Sequence, residues 1–98
     1  MKFARNVQFQ IKPGKEKEFT ALFESEVIPM LRLQNGFQNE FTLVNPNGAI
    51  GISLWEDRKS AETYNSSTYP QVLAKLNNVI VGTPKVDNYD VTASTLRE

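Results

Sequence analysis

The sequence predicts a single α+β domain in which a four-stranded antiparallel sheet carries helices on one face. Three short segments alternate apolar and polar residues, a fourth carries Val86, Tyr89 and Val91, two longer stretches carry apolar residues at helical spacing, and the order is strand, helix, strand, strand, helix, strand. Ninety-eight residues allow one core but give an isolated chain little margin, so association would help it.

From Phe3 to Ile11 the apolar residues Phe3, Val7, Phe9 and Ile11 fall on every second position, with Arg5 as the charged exception on that side. Lys12-Pro13-Gly14 stops this strand, and Gly14 is expected to cap the helix that follows. Lys15 to about Leu33 carries Phe19, Leu22, Phe23, Met30 and Leu33 at three- and four-residue spacing, with Glu26 inside the stripe. Pro29 predicts a kink or break, and Asn35-Gly36 the stop.

A second strand runs from Phe37 to about Val44, with Phe37, Asn39, Phe41 and Leu43 expected on one side and Glu40 and Thr42 on the other. Asn45 to Gly48 makes a hairpin into a third strand, Ala49 to Trp55, where Ile50, Ile52 and Leu54 oppose the small residues Ala49, Gly51 and Ser53 and the large Trp55. Asp57 caps a helix from Arg58 to about Asn65, and Thr68-Tyr69-Pro70-Gln71 reads as a capping box for a second piece reaching about Asn78. The last strand spans Lys85 to about Thr92, and residues 93–98 are expected as a flexible tail or dimer arm. This is the split β-α-β order of ferredoxin-like domains, here one domain over residues 1–98. Helices shield one sheet face, and the other is too apolar to stay wet, which predicts a homodimer joined sheet to sheet.

Eleven basic and eleven acidic residues cancel, so no general field draws nucleic acid or an anionic membrane. The chain has neither cysteine nor histidine. That excludes disulfides, thiolate catalysis and cysteine-based metal sites, and it removes the usual metal ligand, haem ligand and neutral-pH base. No metal or cofactor is expected, and any chemistry rests on carboxylates, tyrosines, lysines, arginines or the substrate itself. The N-terminus enters the first strand without the apolar core of a signal peptide, which predicts a cytoplasmic location.

The run Ile52 to Tyr64 (Ile-Ser-Leu-Trp-Glu-Asp-Arg-Lys-Ser-Ala-Glu-Thr-Tyr) resembles the strand-to-helix segment of the antibiotic-biosynthesis-monooxygenase family of dimeric α/β-barrels. Pro13-Gly14, Gly36, Pro84 and the terminal Tyr89-Asp90-Val91 are similar too, so the resemblance covers roughly Met1 to Thr92. It implies a monooxygenase acting without cofactor on a small aromatic, phenolic or quinol molecule in a pocket between sheet and helices. It also admits haem-degrading and quinol-oxidising branches and members without known activity. The axial histidine of the haem branch has no counterpart among residues 58 to 80. Trp55 matches the family's pocket tryptophan. The family's first-strand asparagine falls at Asn6 or, counted back from Gly14, at Val7.

Within this frame Glu26, a carboxylate on an apolar stripe, pairs naturally with Arg5. The two form a structural ion pair, or Glu26 takes a rim position exposed by the Pro29 kink, or they act as a base with the cation that steadies its product anion. Trp55 either fills the core or stacks on a flat ligand, and Tyr64 and Tyr89 either close the core edge or donate hydrogen bonds to one. Tyr69 belongs to the same group. The rival to an enzyme is a non-catalytic dimeric module binding a small hydrophobic metabolite.

Overall fold

A computed structural model describes residues 1–96 of the chain. The elements are β1 (Phe3–Phe9), α1 (Glu16–Leu22), a π-helical turn (Phe23–Val27), α2 (Ile28–Arg32), β2 (Phe37–Asn45), β3 (Gly48–Trp55), α3 (Arg58–Ser67), α4 (Tyr69–Leu76) and β4 (Lys85–Asp90). The strands form one antiparallel sheet in the order β2-β3-β1-β4, which is the α+β ferredoxin-like topology expected. Beyond β4, residues 91–96 form neither strand nor helix, and residues 97 and 98 of the expected tail lie outside the described residues.

Strand periodicity sets the two faces. Phe3, Arg5, Val7 and Phe9 of β1 lie buried opposite Trp55, Ser53, Gly51 and Ala49 of β3, so these eight positions share the helix-covered face. Phe9 meets Phe19 and Phe23 edge-on at 5.3 and 6.1 Å, and Trp55 lies 4.9 Å from the Tyr64 ring; these contacts tie the sheet to the helices.

Two irregularities re-aim side chains. A bulge in β2 between Phe37 and Asn39 breaks the alternation, so Phe37 packs on Trp55 at 5.5 Å while Asn39, Phe41 and Leu43 face the opposite way. Phe37 therefore does not share a side with Phe41, contrary to simple alternation. The long helix is interrupted as expected, by a π turn just ahead of Pro29. The proline has no N–H and its ring crowds the carbonyl four residues back, and the wider turn accommodates both. Its extra residue rotates the stripe: Phe19, Phe23, Val27 and Leu31 are buried, whereas Glu26 is exposed and Leu33 is 83% exposed.

Capping is simpler than the sequence suggests. Lys15 rather than Gly14 precedes α1, and Thr68 makes no side-chain cap; its hydroxyl donates to Gln34 Oε1 at 3.1 Å, joining α4 to the end of α2. Asp57 does cap α3, accepting from the Ser60 N–H at 2.8 Å.

Gly36 carries φ +81° where the chain turns into β2, and its carbonyl accepts from Glu56 N at 2.7 Å. A Cβ at this position would strike the Ser60 side chain. Gly36→Ala is expected to destabilise the protein by about 2 kcal/mol, through left-handed strain and the collision together, measured by urea unfolding.

Candidate functional site

The candidate site lies where β1, β2 and β3 pass beneath the π turn and the junction of α3 with α4. A cavity of about 20 Å³, room for one water, is walled by Arg5, Glu40, Ser53, Tyr64 and Tyr69 on its polar side. Phe23, Val27 and Leu31 belong to its apolar side.

Arg5 reaches this place because β1 alternates: its neighbours at two-residue spacing are core residues, so its side chain must enter the core as well. It is 2% exposed. Its guanidinium lies 5.0 Å from the Tyr64 ring centre and 4.5 Å from that of Tyr69, and Nη2 donates to Asn65 Oδ1 at 3.0 Å. Burial lowers its pKa, against the opposing pull of Tyr64, Tyr69 and Glu40, but an arginine remains a cation.

Glu40 is the carboxylate on this face. The β2 bulge and pairing with Ser53 turn it inward, and its Oε2 accepts from the Thr42 hydroxyl at 2.9 Å. Gly51 across the ladder leaves it room, since a Cβ there would stand 3.2 Å from Glu40 Oε2 and 3.4 Å from the Phe9 ring. Burial pushes the Glu40 pKa up to about 8, only partly countered by Thr42 and the Arg5 charge. Burial also raises Tyr64 and Tyr69, which stay protonated phenols. The Tyr69 hydroxyl is buried without a hydrogen-bond partner among the described residues.

The residues singled out by sequence divide between locations. Arg5 and Tyr64 line the cavity. Trp55 stands behind it, fully buried, with Nε1 donating to Ser53 Oγ at 2.8 Å and its ring against Tyr64. Asn6 and Tyr89 lie on the opposite sheet face, opposite Ile52 and Ala4 respectively, and Tyr89 is 54% exposed. Glu26 does not face Arg5; it is exposed on the π turn and its ion-pair partner is Lys75 at 3.9 Å. The π turn carries it away, and Glu40 supplies the carboxylate that Arg5 faces. Sequence reasoning passed over Glu40 because alternation placed it with Gln38 and Thr42 on a polar strand side. Its one signal was the small pair Gly51 and Ser53 on the neighbouring strand.

The family model described as antibiotic biosynthesis monooxygenase matches residues 3–75 of this chain. No curated protein sequence matches. Among solved structures, a protein of unknown function from Nitrosomonas europaea is 19% identical with TM-score 0.80, over 99% of this chain and 95% of its own. SnoaB, a cofactor-independent oxygenase from Streptomyces nogalater, is 15% identical with TM-score 0.79, over 98% of each chain. The ActVA-Orf6 monooxygenase from Streptomyces coelicolor, solved with nanaomycin D, is 16% identical with TM-score 0.77, over 98% of this chain and 92% of its own. At these identities the structures share the fold alone.

The raised Glu40 pKa has a signature in stability. Between pH 4.5 and about 8 the folded protein holds a proton on Glu40 that the unfolded chain has released, so folding stability falls as pH rises through this window. Glu40→Gln removes that loss. Its Tm is expected to match wild type near pH 4.5 and to exceed it increasingly up to pH 8, as read by thermal denaturation across pH.

Proposed function

Since the chain belongs to the antibiotic biosynthesis monooxygenase family, we propose that it is a cofactor-independent monooxygenase whose substrate is a small phenolic or quinol aromatic, bound between sheet and helices. The family match supports a monooxygenase in general. The observation that carries the finer reading is the pair of opposite groups on one small cavity, Glu40 with a pKa near 8 and the buried cation Arg5.

A base with that pKa takes a proton from a phenol at little cost. Above its titration the Glu40 carboxylate removes the phenolic proton, and Arg5 stabilises the anion left behind. In a substrate whose phenol is the enol tautomer of an activated CH2, that carbon has already passed one proton to the oxygen, and in the anion it attacks dioxygen with one hydrogen still in place, forming a C–O bond. Loss of the second proton from that carbon breaks the O–O bond, leaving one oxygen as a carbonyl and the other in water. The four electrons that reduce dioxygen come from the substrate, so the protein supplies position, a base and a counter-charge.

The open sheet face supports the homodimer. Phe41 and Leu43 are 49% and 54% exposed there, alongside Ile50, Ile52 and Leu54, and a second copy laid across them removes this apolar surface from water. The size of the cavity favours one second reading, the non-catalytic dimeric module, because about 20 Å³ seats no aromatic ring without rearrangement.

Oxygen uptake with a panel of quinols and anthrones separates the two readings. The wild type is expected to turn over at least one, with a rate rising through pH 8; Glu40→Gln should lose about 100-fold, and Glu26→Gln should match wild type. No uptake with any member favours the module. Ultracentrifugation at micromolar concentration is expected to show a dimer, and Ile52→Lys a monomer; a wild-type monomer removes the sheet-to-sheet pairing.

A further inference from the structure

Arg5 is a buried guanidinium without a counter-ion. Among the described residues no carboxylate lies within 4.0 Å of it, and its hydrogen-bond partners are the neutral Asn65 amide and the Tyr64 hydroxyl. Isolated charges are rarely left inside a core, because desolvation costs several kcal/mol that a partner normally offsets. Burial holds Glu40, the carboxylate that shares the cavity, toward its neutral form, so it offsets the Arg5 charge only in part. The Tyr69 hydroxyl on the same wall is buried and has no hydrogen-bond partner among the described residues, although its ring lies 4.5 Å from the Arg5 guanidinium carbon. One unsatisfied donor beside a cation that no carboxylate pairs describes the outline of an anionic oxygen.

We infer that the cavity takes its ligand as an oxygen anion, a phenolate whose oxygen replaces the single water, with Arg5 as counter-charge and the Tyr69 hydroxyl as second donor. This rests on the proposed reading of the cavity as the substrate site and specifies the charge state in which substrate is held. The water-sized space fits the oxygen, and the ring has room on the far side of Arg5. There an open cleft of about 250 Å³ lies between α3 and the β1–β4 pair, and Arg5 is the side chain common to cleft and cavity. In this reading the Arg5 side chain turns to join the two spaces. Arg58 on the cleft wall is ion-paired with Asp90 at 3.8 Å, which leaves Arg5 as the cation that joins cleft to cavity.

The test is a titration of the full chain with 4-nitrophenol under nitrogen, read by the visible absorbance of the phenolate, at pH values well below the Glu40 titration near 8. Bound dye is expected to ionise about one pH unit below free dye, and nitrobenzene, of similar shape without the ionisable oxygen, to bind at least about tenfold more weakly. Tyr69→Phe should keep its Tm yet lose about tenfold in affinity and part of the ionisation shift, and Arg5→Gln should lose the shift altogether. Unshifted ionisation, nitrobenzene binding as tightly as the dye, no binding of the dye, or a Tyr69→Phe protein indistinguishable from wild type would each overturn the inference. Because no oxygen is present, a protein that holds phenolate but never consumes oxygen sinks the monooxygenase and leaves the anion site standing. Turnover of substrates held neutral does the reverse.

Discussion

The arrangement of this molecule depends on a single charge enclosed by its core. Arg5 is committed inward by the alternation of β1, with Phe3 and Val7 on either side of it, and no register of that strand buries those residues while releasing the arginine to solvent. The surrounding structure meets its needs. Two tyrosines from α3 and α4 present their ring faces, Asn65 offers an amide oxygen, and the β2 bulge turns Glu40 toward the same space. The interruption of helix at Thr68 allows Tyr64 and Tyr69 to approach the guanidinium from two separate segments.

One physical cause, desolvation, is the largest influence on each perturbed group around the cavity. It lowers Arg5 and raises Glu40, Tyr64 and Tyr69, and each shift favours the neutral form. Arginine alone cannot comply, having no accessible neutral state. The outcome is a small polar chamber holding one permanent cation and three groups that hold protons near neutrality. Its electrostatic character comes from where the side chains sit more than from which partners they touch.

Much of this was legible before any coordinates. The period-two patterns located three strands, the Gly82 to Pro84 stop placed the fourth, and Arg5 stood out because it broke an otherwise apolar series. The small residues of β3 beside Trp55 marked the side on which space remains. What sequence could not convey were two phase changes. A bulge after Phe37 and a π turn before Pro29 each add one residue to a repeat, and counting at fixed spacing past either lands on the wrong face. Glu26 looked buried because the helical count ran straight through the second, and Phe37 seemed to share a side with Phe41 because the alternation ran straight through the first. Asn6 and Tyr89 lie beyond the sheet from the cavity, in keeping with the rule that neighbouring strand positions point oppositely.

The π turn also carries an evolutionary consequence. A wide turn of this kind is a one-residue insertion absorbed within a helix, leaving both flanking segments and the sheet undisturbed. Deleting a residue between Phe23 and Val27 would restore ordinary winding there and change which side chains the turn itself presents to the chamber, while the flanking segments keep their facing. A lineage carrying this scaffold thus has a single-codon means of exchanging which residues wall the chamber, and relatives that keep the same fold can diverge in ligand preference without any change in their strands.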